Sequence, residues 1–248
     1  MNGHSLLEAR ALTVRFGGLT AVDGVSAAFA VGELVGIIGP NGAGKTTFFN
    51  ALSGVQLPTS GELFVQGRRL TGAAPHRFAH QGIARTFQTP RVFAELSVAA
   101  NIDFGLQFAG RHRSGSWLLK DEASILALIG LTGQAALPAG AITPSQQRLL
   151  EIGMALATRP KLLLLDEVAA GLTESEIETM AQLIRRLRDE LDLTVIWIEH
   201  AVTTLLRHVE RVLVMHQGRK IADGLPSEVV RNAEVIEAYL GDEMAEAP

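Results

Sequence analysis

Cysteine is absent from the 248 residues, which rules out disulfide bridges, thiolate metal sites and cysteine nucleophiles and fits a reducing compartment. No apolar run approaches the roughly 18 residues that a membrane-spanning helix needs. The opening Met1-Asn2-Gly3-His4-Ser5 also lacks the basic-then-apolar layout of a secretory signal, so the expectation is a soluble chain in the cytoplasm. Nor is there a basic excess. The 22 Lys and Arg against 26 Asp and Glu give a formal charge of −4, without the positive field that suits nucleic-acid binding. What the chain has in quantity is apolar substance: hydrophobic residues make up 47% and charged ones 19%, enough for a sizeable core. The mean hydropathy of +0.22 fits either a generous core or an apolar surface reserved for a partner.

The densest signal is Gly39-Pro40-Asn41-Gly42-Ala43-Gly44-Lys45-Thr46-Thr47, which fits G-x-x-x-x-G-K-[ST]. It follows Leu34-Val35-Gly36-Ile37-Ile38, a short apolar run that reads as a buried parallel strand, and precedes a segment from Lys45 to Leu52 that can start a helix. Glycines at 39, 42 and 44 let the backbone turn its N–H groups towards one point, where the helix N-terminus adds partial positive charge. Anionic phosphate belongs there. Lys45 is placed to reach the β- and γ-phosphates of a nucleotide, and the Thr46 hydroxyl to ligate Mg2+.

Around this unit, residues 6–16, 25–31 and 62–70 alternate loosely between glycines and predict short antiparallel strands. From about Ser97 to Gly133 the pattern is helical, with Trp117, Leu118, Ile125, Leu128 and Ile129 on an apolar face interrupted by the polar stretch 110–116. The last third alternates strand and helix over 162–165, 174–191, 194–198 and 211–215, the rhythm of a parallel sheet. Within 174–191, Ile177, Met180, Ile184, Leu187 and Leu191 form one stripe opposite Arg185, Arg186 and Arg188, which reads as core against a solvated face.

Two further strand ends carry chemistry. Leu162–Leu165 runs into Asp166 and Glu167; Asp166 can reach the Mg2+ shell held by Thr46, and Glu167 can polarise an attacking water, the bland alternative being that both cap the next turn. Thr194–Ile198 runs into Glu199 and His200. His200 then shares a sheet edge with Asp166 and can donate to a γ-phosphate, although a strand-end histidine taken alone is more often a structural residue.

With these elements in order, the chain from about Leu7 to Gly241 resembles the nucleotide-binding subunit of an ATP-binding-cassette transporter. It shows Phe16 at the aromatic adenine-stacking position, the loop 39–46, Gln88 in Arg85-Thr86-Phe87-Gln88, a signature region at 142–148, the strand and carboxylates 162–167, the loop Ala169-Ala170-Gly171-Leu172 and the switch His200. The resemblance implies ATP and Mg2+ as ligands, with Thr46, Gln88 and Asp166 around the metal, Glu167 as catalytic base, and Gln88 relaying to a membrane partner. The strings Phe16-Gly17-Gly18-Leu19-Thr20-Ala21-Val22 and Glu237-Ala238-Tyr239-Leu240-Gly241 are similar to those of branched-chain amino-acid importers; urea and amide importers and the lipopolysaccharide exporter share parts of them.

The expected fold is an α/β P-loop core with an antiparallel β subdomain and a helical insertion at 90–158, one domain over 1–248. The expected setting is the cytoplasmic face of the membrane, on transmembrane permease subunits fed by a solute-binding protein outside. ATP would be sandwiched between two cassettes, where Thr143, Ser145 and Gln146 contact the nucleotide of the opposite subunit. A soluble cassette acting on DNA or ribosomes, or a regulator that binds ATP without turnover, is the rival reading. Two departures stand out. The family signature Leu-Ser-Gly-Gly-Gln is Ile142-Thr143-Pro144-Ser145-Gln146 here, with both glycines lost and Pro144 lacking an N–H. Val168 follows Glu167 where the family usually has proline.

Overall fold

The computed structural model describes residues 5–109, 119, 121–199 and 202–245. The chain begins with β1 (Ser5–Phe16), β2 (Leu19–Ala30) and β3 (Leu34–Ile38), followed by α1 (Lys45–Leu52), β4 (Ser60–Val65), β5 (Arg68–Arg69), α2 (Pro75–Gln81) and β6 (Ile83–Arg85). A helical stretch holds α3 (Val98–Ala109), α4 (Glu122–Leu128) and α5 (Pro144–Ala157). Alternation then resumes through β7 (Leu162–Asp166), α6 (Glu174–Leu191), β8 (Thr194–Ile198), α7 (Val202–His208), β9 (Arg211–His216) and β10 (Arg219–Gly224), ending in α8 (Pro226–Val229) and α9 (Ala233–Ala245). Trp117, Leu118 and the stretch 110–116 lie outside the described residues.

Two sheets form. One is antiparallel, in the order β2-β1-β4-β5, and the other has the order β10-β9-β3-β8-β7-β6, parallel except at its β10 edge. The first begins earlier in its second strand than the alternation predicts, because β2 pairs with β1 from Leu19 onwards. The 62–70 segment splits into β4 and β5 around Gln66 and Gly67, both at positive φ.

β3, β7 and β8 are buried along their whole length, which is why they read as unbroken apolar runs rather than as alternating ones. Successive side chains nevertheless serve different layers. Leu34, Leu163, Leu165, Val195 and Trp197 enter a core shared with the helices α3 to α7. Val35, Ile37, Leu162, Leu164, Ile196 and Ile198 enter another, shared with α1 and the antiparallel sheet. On α6 the buried residues are Met180, Ala181, Leu183, Ile184 and Leu187. The opposing arginines face outwards, and Arg188 pairs with Glu210.

The parallel register aligns the strand ends: Ile37 and Asp166 both pair with Ile198. The residues that follow, Gly39, Glu167 and Glu199, therefore leave the sheet along one edge. That edge is where a ligand binds in open α/β sheets.

Candidate active site

The phosphate loop is shaped by backbone. Gly44 has φ 93°, and a Cβ there would run into the Ala21 carbonyl oxygen; one at Gly39 would meet the Met215 carbonyl oxygen. Only glycine fits either place. The loop is stapled from behind, since the Gly218 N–H donates to Ala43 O at 3.0 Å and the Asp23 N–H to Gly218 O at 2.8 Å. Gly44 caps α1 without a side-chain bond, so the first N–H groups of the helix face the cleft. That is the anion-binding end of a helix.

Lys45 is almost fully buried, and its Nζ donates to Gly39 O at 2.5 Å and Pro40 O at 2.9 Å. Burial pushes its ammonium below the ordinary lysine value, while the charges of Glu167 and Asp166 pull it back up. Asn41, Gly42, Ala43, Gly44, Lys45, Thr46 and Thr47 line a cleft of about 460 Å3 together with Phe16, Leu19, Ala21, Gln88 and Glu167. Phe16, at its rim, is 49% exposed and belongs to neither core.

The strand-end carboxylates differ in surroundings. Asp166 is 2% exposed, its Oδ2 accepting from Arg85 Nη2 at 3.1 Å, and the Arg85 head also holds Asn50 Oδ1 and Ser53 Oγ. Glu167 is 5% exposed and sits at φ 51°, a left-handed conformation that costs a side-chain-bearing residue on the order of 1–3 kcal/mol. It is held there by its N–H to Ile198 O at 3.0 Å and by Arg148 Nη1 on its carbonyl at 3.0 Å. Gln88 Nε2 donates to Glu167 Oε2 at 2.6 Å. Residues 79 positions apart thus meet at the cleft mouth.

Several contributors are not apparent in the sequence. Arg148, on the first turns of α5, donates to the carbonyls of Gln88, Glu167 and Ala170. Glu199 is buried and accepts from Ala169 N at 2.7 Å and Trp197 Nε1 at 2.9 Å; burial pushes its carboxyl up, and these two donors pull it down. With Arg148 and Glu199 bracing the turn after Glu167, Val168 packs into the core in place of a proline. The alternation Trp197, Glu199 along one strand face carried this signal.

Glu151, one turn beyond Arg148, is buried and accepts from the N–H groups of Phe87, at 3.3 Å, and Arg91, at 3.0 Å. Burial pushes its carboxyl from 4.5 up to about 7, against the pull of those two amides. The folded chain therefore keeps a proton that the unfolded chain releases. Stability is largest below pH 4.5 as far as this group is concerned and falls as pH rises from 4.5 to about 7, by at most about 3 kcal/mol. Glu151→Gln keeps an acceptor and removes the titration. Urea unfolding at pH 5 and pH 8 is expected to show the wild-type chain losing more stability over that interval than the variant, and equal losses would contradict the assignment.

The donors that the resemblance assigns to a metal, the Thr46 hydroxyl, the Asp166 carboxylate and the Gln88 amide oxygen, are all hard oxygens; Thr46 and Gln88 line the cleft, whereas Asp166 lies behind its walls, paired with Arg85. This donor set fits Mg2+, which is commonly held by one or two protein carboxylates plus substrate phosphates. Thr143, Ser145 and Gln146 are not among the walls of this cleft; they open α5, where Thr143 and Gln146 cap each other. His200 lies outside the described residues.

Comparison with known proteins agrees with this arrangement. A family model described as ABC transporter matches residues 22–170, and one described as branched-chain amino acid ATP-binding cassette transporter matches 219–245. The chain is 38% identical over 253 residues to the high-affinity branched-chain amino acid transport ATP-binding protein BraF of Pseudomonas aeruginosa, covering 96% of this chain and 98% of the relative. It is 39% identical over 251 residues to LivG of Salmonella typhimurium, a protein of the same description, with the same coverage. Among solved structures, the ADP conformation of an ATP-binding cassette from an ABC transporter superposes with a TM-score of 0.83 at 30% identity, covering 96% of this chain and 99% of that one. A phosphate loop, two strand-end carboxylates and a glutamine that meets the second of them, in a chain so similar to these over nearly its whole length, belong to the ATP-binding proteins of the ABC transporter family, in the branched-chain amino-acid group.

Proposed function

We propose that the chain binds and hydrolyses Mg2+-ATP in the cleft between Phe16 and Glu167, and that hydrolysis powers import of branched-chain amino acids through a separate permease. The 2.6 Å contact between Gln88 and Glu167, at the mouth of a phosphate cradle, carries the reading, because it joins a candidate base to a residue of the loop that leads towards a partner. Phe16 stacks on the adenine. Lys45 exchanges the Gly39 and Pro40 carbonyls for phosphate oxygens, which its buried ammonium prefers as anionic acceptors. Glu167 takes the proton of the attacking water, Gln88 orients that pair, and His200 donates to the γ-phosphate. When bound at Thr46, Asp166 and Gln88, Mg2+ neutralises the charge developing on the phosphate oxygens.

Residues 90–158 act as a helical subdomain, and Thr143, Ser145 and Gln146 at its rim face the nucleotide of a second cassette. Next to the Gln88 loop, Phe93, Leu96 and Phe104 are exposed, the two rings packing edge to face at 5.0 Å. An apolar cluster beside the Gln88 loop suits a permease loop. No helix among the described residues is long and apolar enough to cross a membrane. In this reading the separate permease spans it, the chain attaches to that permease at the cytoplasmic face, and a solute-binding protein delivers the amino acid from outside. The test is uptake of leucine, isoleucine and valine into vesicles holding the assembled transporter. Uptake is expected to require internal ATP and to be lost with Lys45→Ala; uptake of urea or amides instead would overturn the substrate, and ATP-independent uptake the mechanism.

A further inference from the structure

We infer that Arg148 is a positioning residue, which with Glu151 fastens the Gln88 loop and the Glu167 turn to one rigid helix, so that the two reacting side chains keep their register. The inference rests on the site reading above, but the geometry behind it is separate. Arg148 Nη1 donates to Gln88 O at 3.3 Å and Glu167 O at 3.0 Å, and Nη2 donates to Ala170 O at 2.8 Å. Three carbonyls from two loops converge on one planar fork. A guanidinium has five donors in fixed directions, so the places it serves cannot drift apart without breaking a charge-assisted bond.

The bonds are to main chain and not to the side chains that do chemistry. Arg148 therefore never needs to touch nucleotide or water; it sets the points from which Gln88 and Glu167 start. Neither point is fixed by sheet pairing alone. Gln88 lies three residues past the end of β6, and Glu167 directly past β7 in a left-handed conformation. Glu151, on the same face of α5 as Arg148 at i+3, holds the other side of the Gln88 loop through the Phe87 and Arg91 N–H groups. A displacement of α5 thus moves both loops together. No other described helix makes side-chain bonds to both.

Hydrolysis by the assembled transporter tests this. Arg148→Ala is expected to lower kcat about tenfold while leaving the KM for ATP within twofold, because the nucleotide walls do not include Arg148 and a misplaced reacting group is felt in the transition state. Arg148→Lys, which keeps the charge without the fork, is expected to recover only part of the loss. In a Gln88→Ala background, Arg148→Ala should add less than twofold, since the register it protects has already lost one member. Hydrogen exchange of the Arg148→Lys protein, which keeps a cation in the same space, should show faster exchange at 168–171 and unchanged exchange in α1. A wild-type kcat in Arg148→Ala, full multiplicative loss on Gln88→Ala, or unchanged exchange at 168–171 each overturns the inference. Glu167→Gln separates this failure from failure of the site reading: an active Glu167→Gln sinks the site reading, whereas an inactive one beside an active Arg148→Ala sinks only the positioning role.

Discussion

Glu167→Gln is expected to leave ATP affinity nearly unchanged and to lower turnover of the assembled transporter by about 10²-fold or more, the scale of losing a general base. The amide keeps the shape of the side chain and one acceptor for Gln88 Nε2, which now lies 2.6 Å from Glu167 Oε2, but it cannot accept a proton. Folding should not suffer. The carboxylates of Glu167 and Glu199 repel one another in a buried setting, and that repulsion helps push the Glu199 carboxyl up. Removing one charge relieves that repulsion but also withdraws an attraction that supports the buried Lys45 ammonium, so the thermal midpoint of the variant should stay close to that of the wild type. Lys45→Ala differs in kind, because it removes a donor aimed at phosphate and should weaken nucleotide binding itself. Turnover and ATP binding measured side by side check both, and near-normal turnover in Glu167→Gln excludes this residue as the base.

The parts of this site that can be read in the sequence are those with a local cause. Leu34–Ile38 and Leu162–Leu165 are apolar throughout because both of their faces meet a core, and α6 spans residues 174–191, as its stripe predicts. Asp166 and Glu167 are legible because charges at the end of such a strand have to leave the sheet at its edge. The braces are different. Arg85 and Asp166 are 81 positions apart, and Arg91 and Glu151 are 60 apart; no period or turn rule connects them. One faint signal was available in Glu151, an acid among the otherwise buried residues Leu150, Ile152 and Gly153, since a charge in that position needs partners. Phe16 shows the limit of residue type: an aromatic suits a core, yet here it and Leu19 beside it are exposed.

Two copies of this chain working alone are expected to form a poor ATPase, for a reason that lies at the start of α5. Pro144 occupies the first helical position, where its missing N–H costs the helix nothing but leaves one donor fewer at the tip. The remaining groups are turned inwards. The Gln146 N–H goes to Thr143 Oγ1 at 3.2 Å, the Thr143 N–H goes to Gln146 Oε1 at 3.0 Å, and the Glu176 carboxyl is held below its ordinary value by the Thr173 N–H and hydroxyl, with the Ser145 hydroxyl adding to the pull. That carboxylate, itself part of the cap of α6, places an anion beside the surface that the resemblance assigns to another subunit's γ-phosphate. Loss of a single donor aimed at developing charge typically lowers a rate by about 10²- to 10³-fold. A different cassette with an intact signature would complete the site built on Lys45, Gln88 and Glu167 of this chain, leaving one site competent and the other weak. Pro144→Gly with Ser145→Gly decides the matter. In the purified chain alone, ATP hydrolysis should rise at least several-fold, by restoring an N–H at the tip; in a transporter with two different cassettes the gain should stay below about twofold, because the competent site already carries the flux. If the chain alone hydrolyses ATP as fast as the assembled transporter and the glycines add nothing, Thr143, Ser145 and the helix N-terminus suffice as they stand, and the two sites are equivalent.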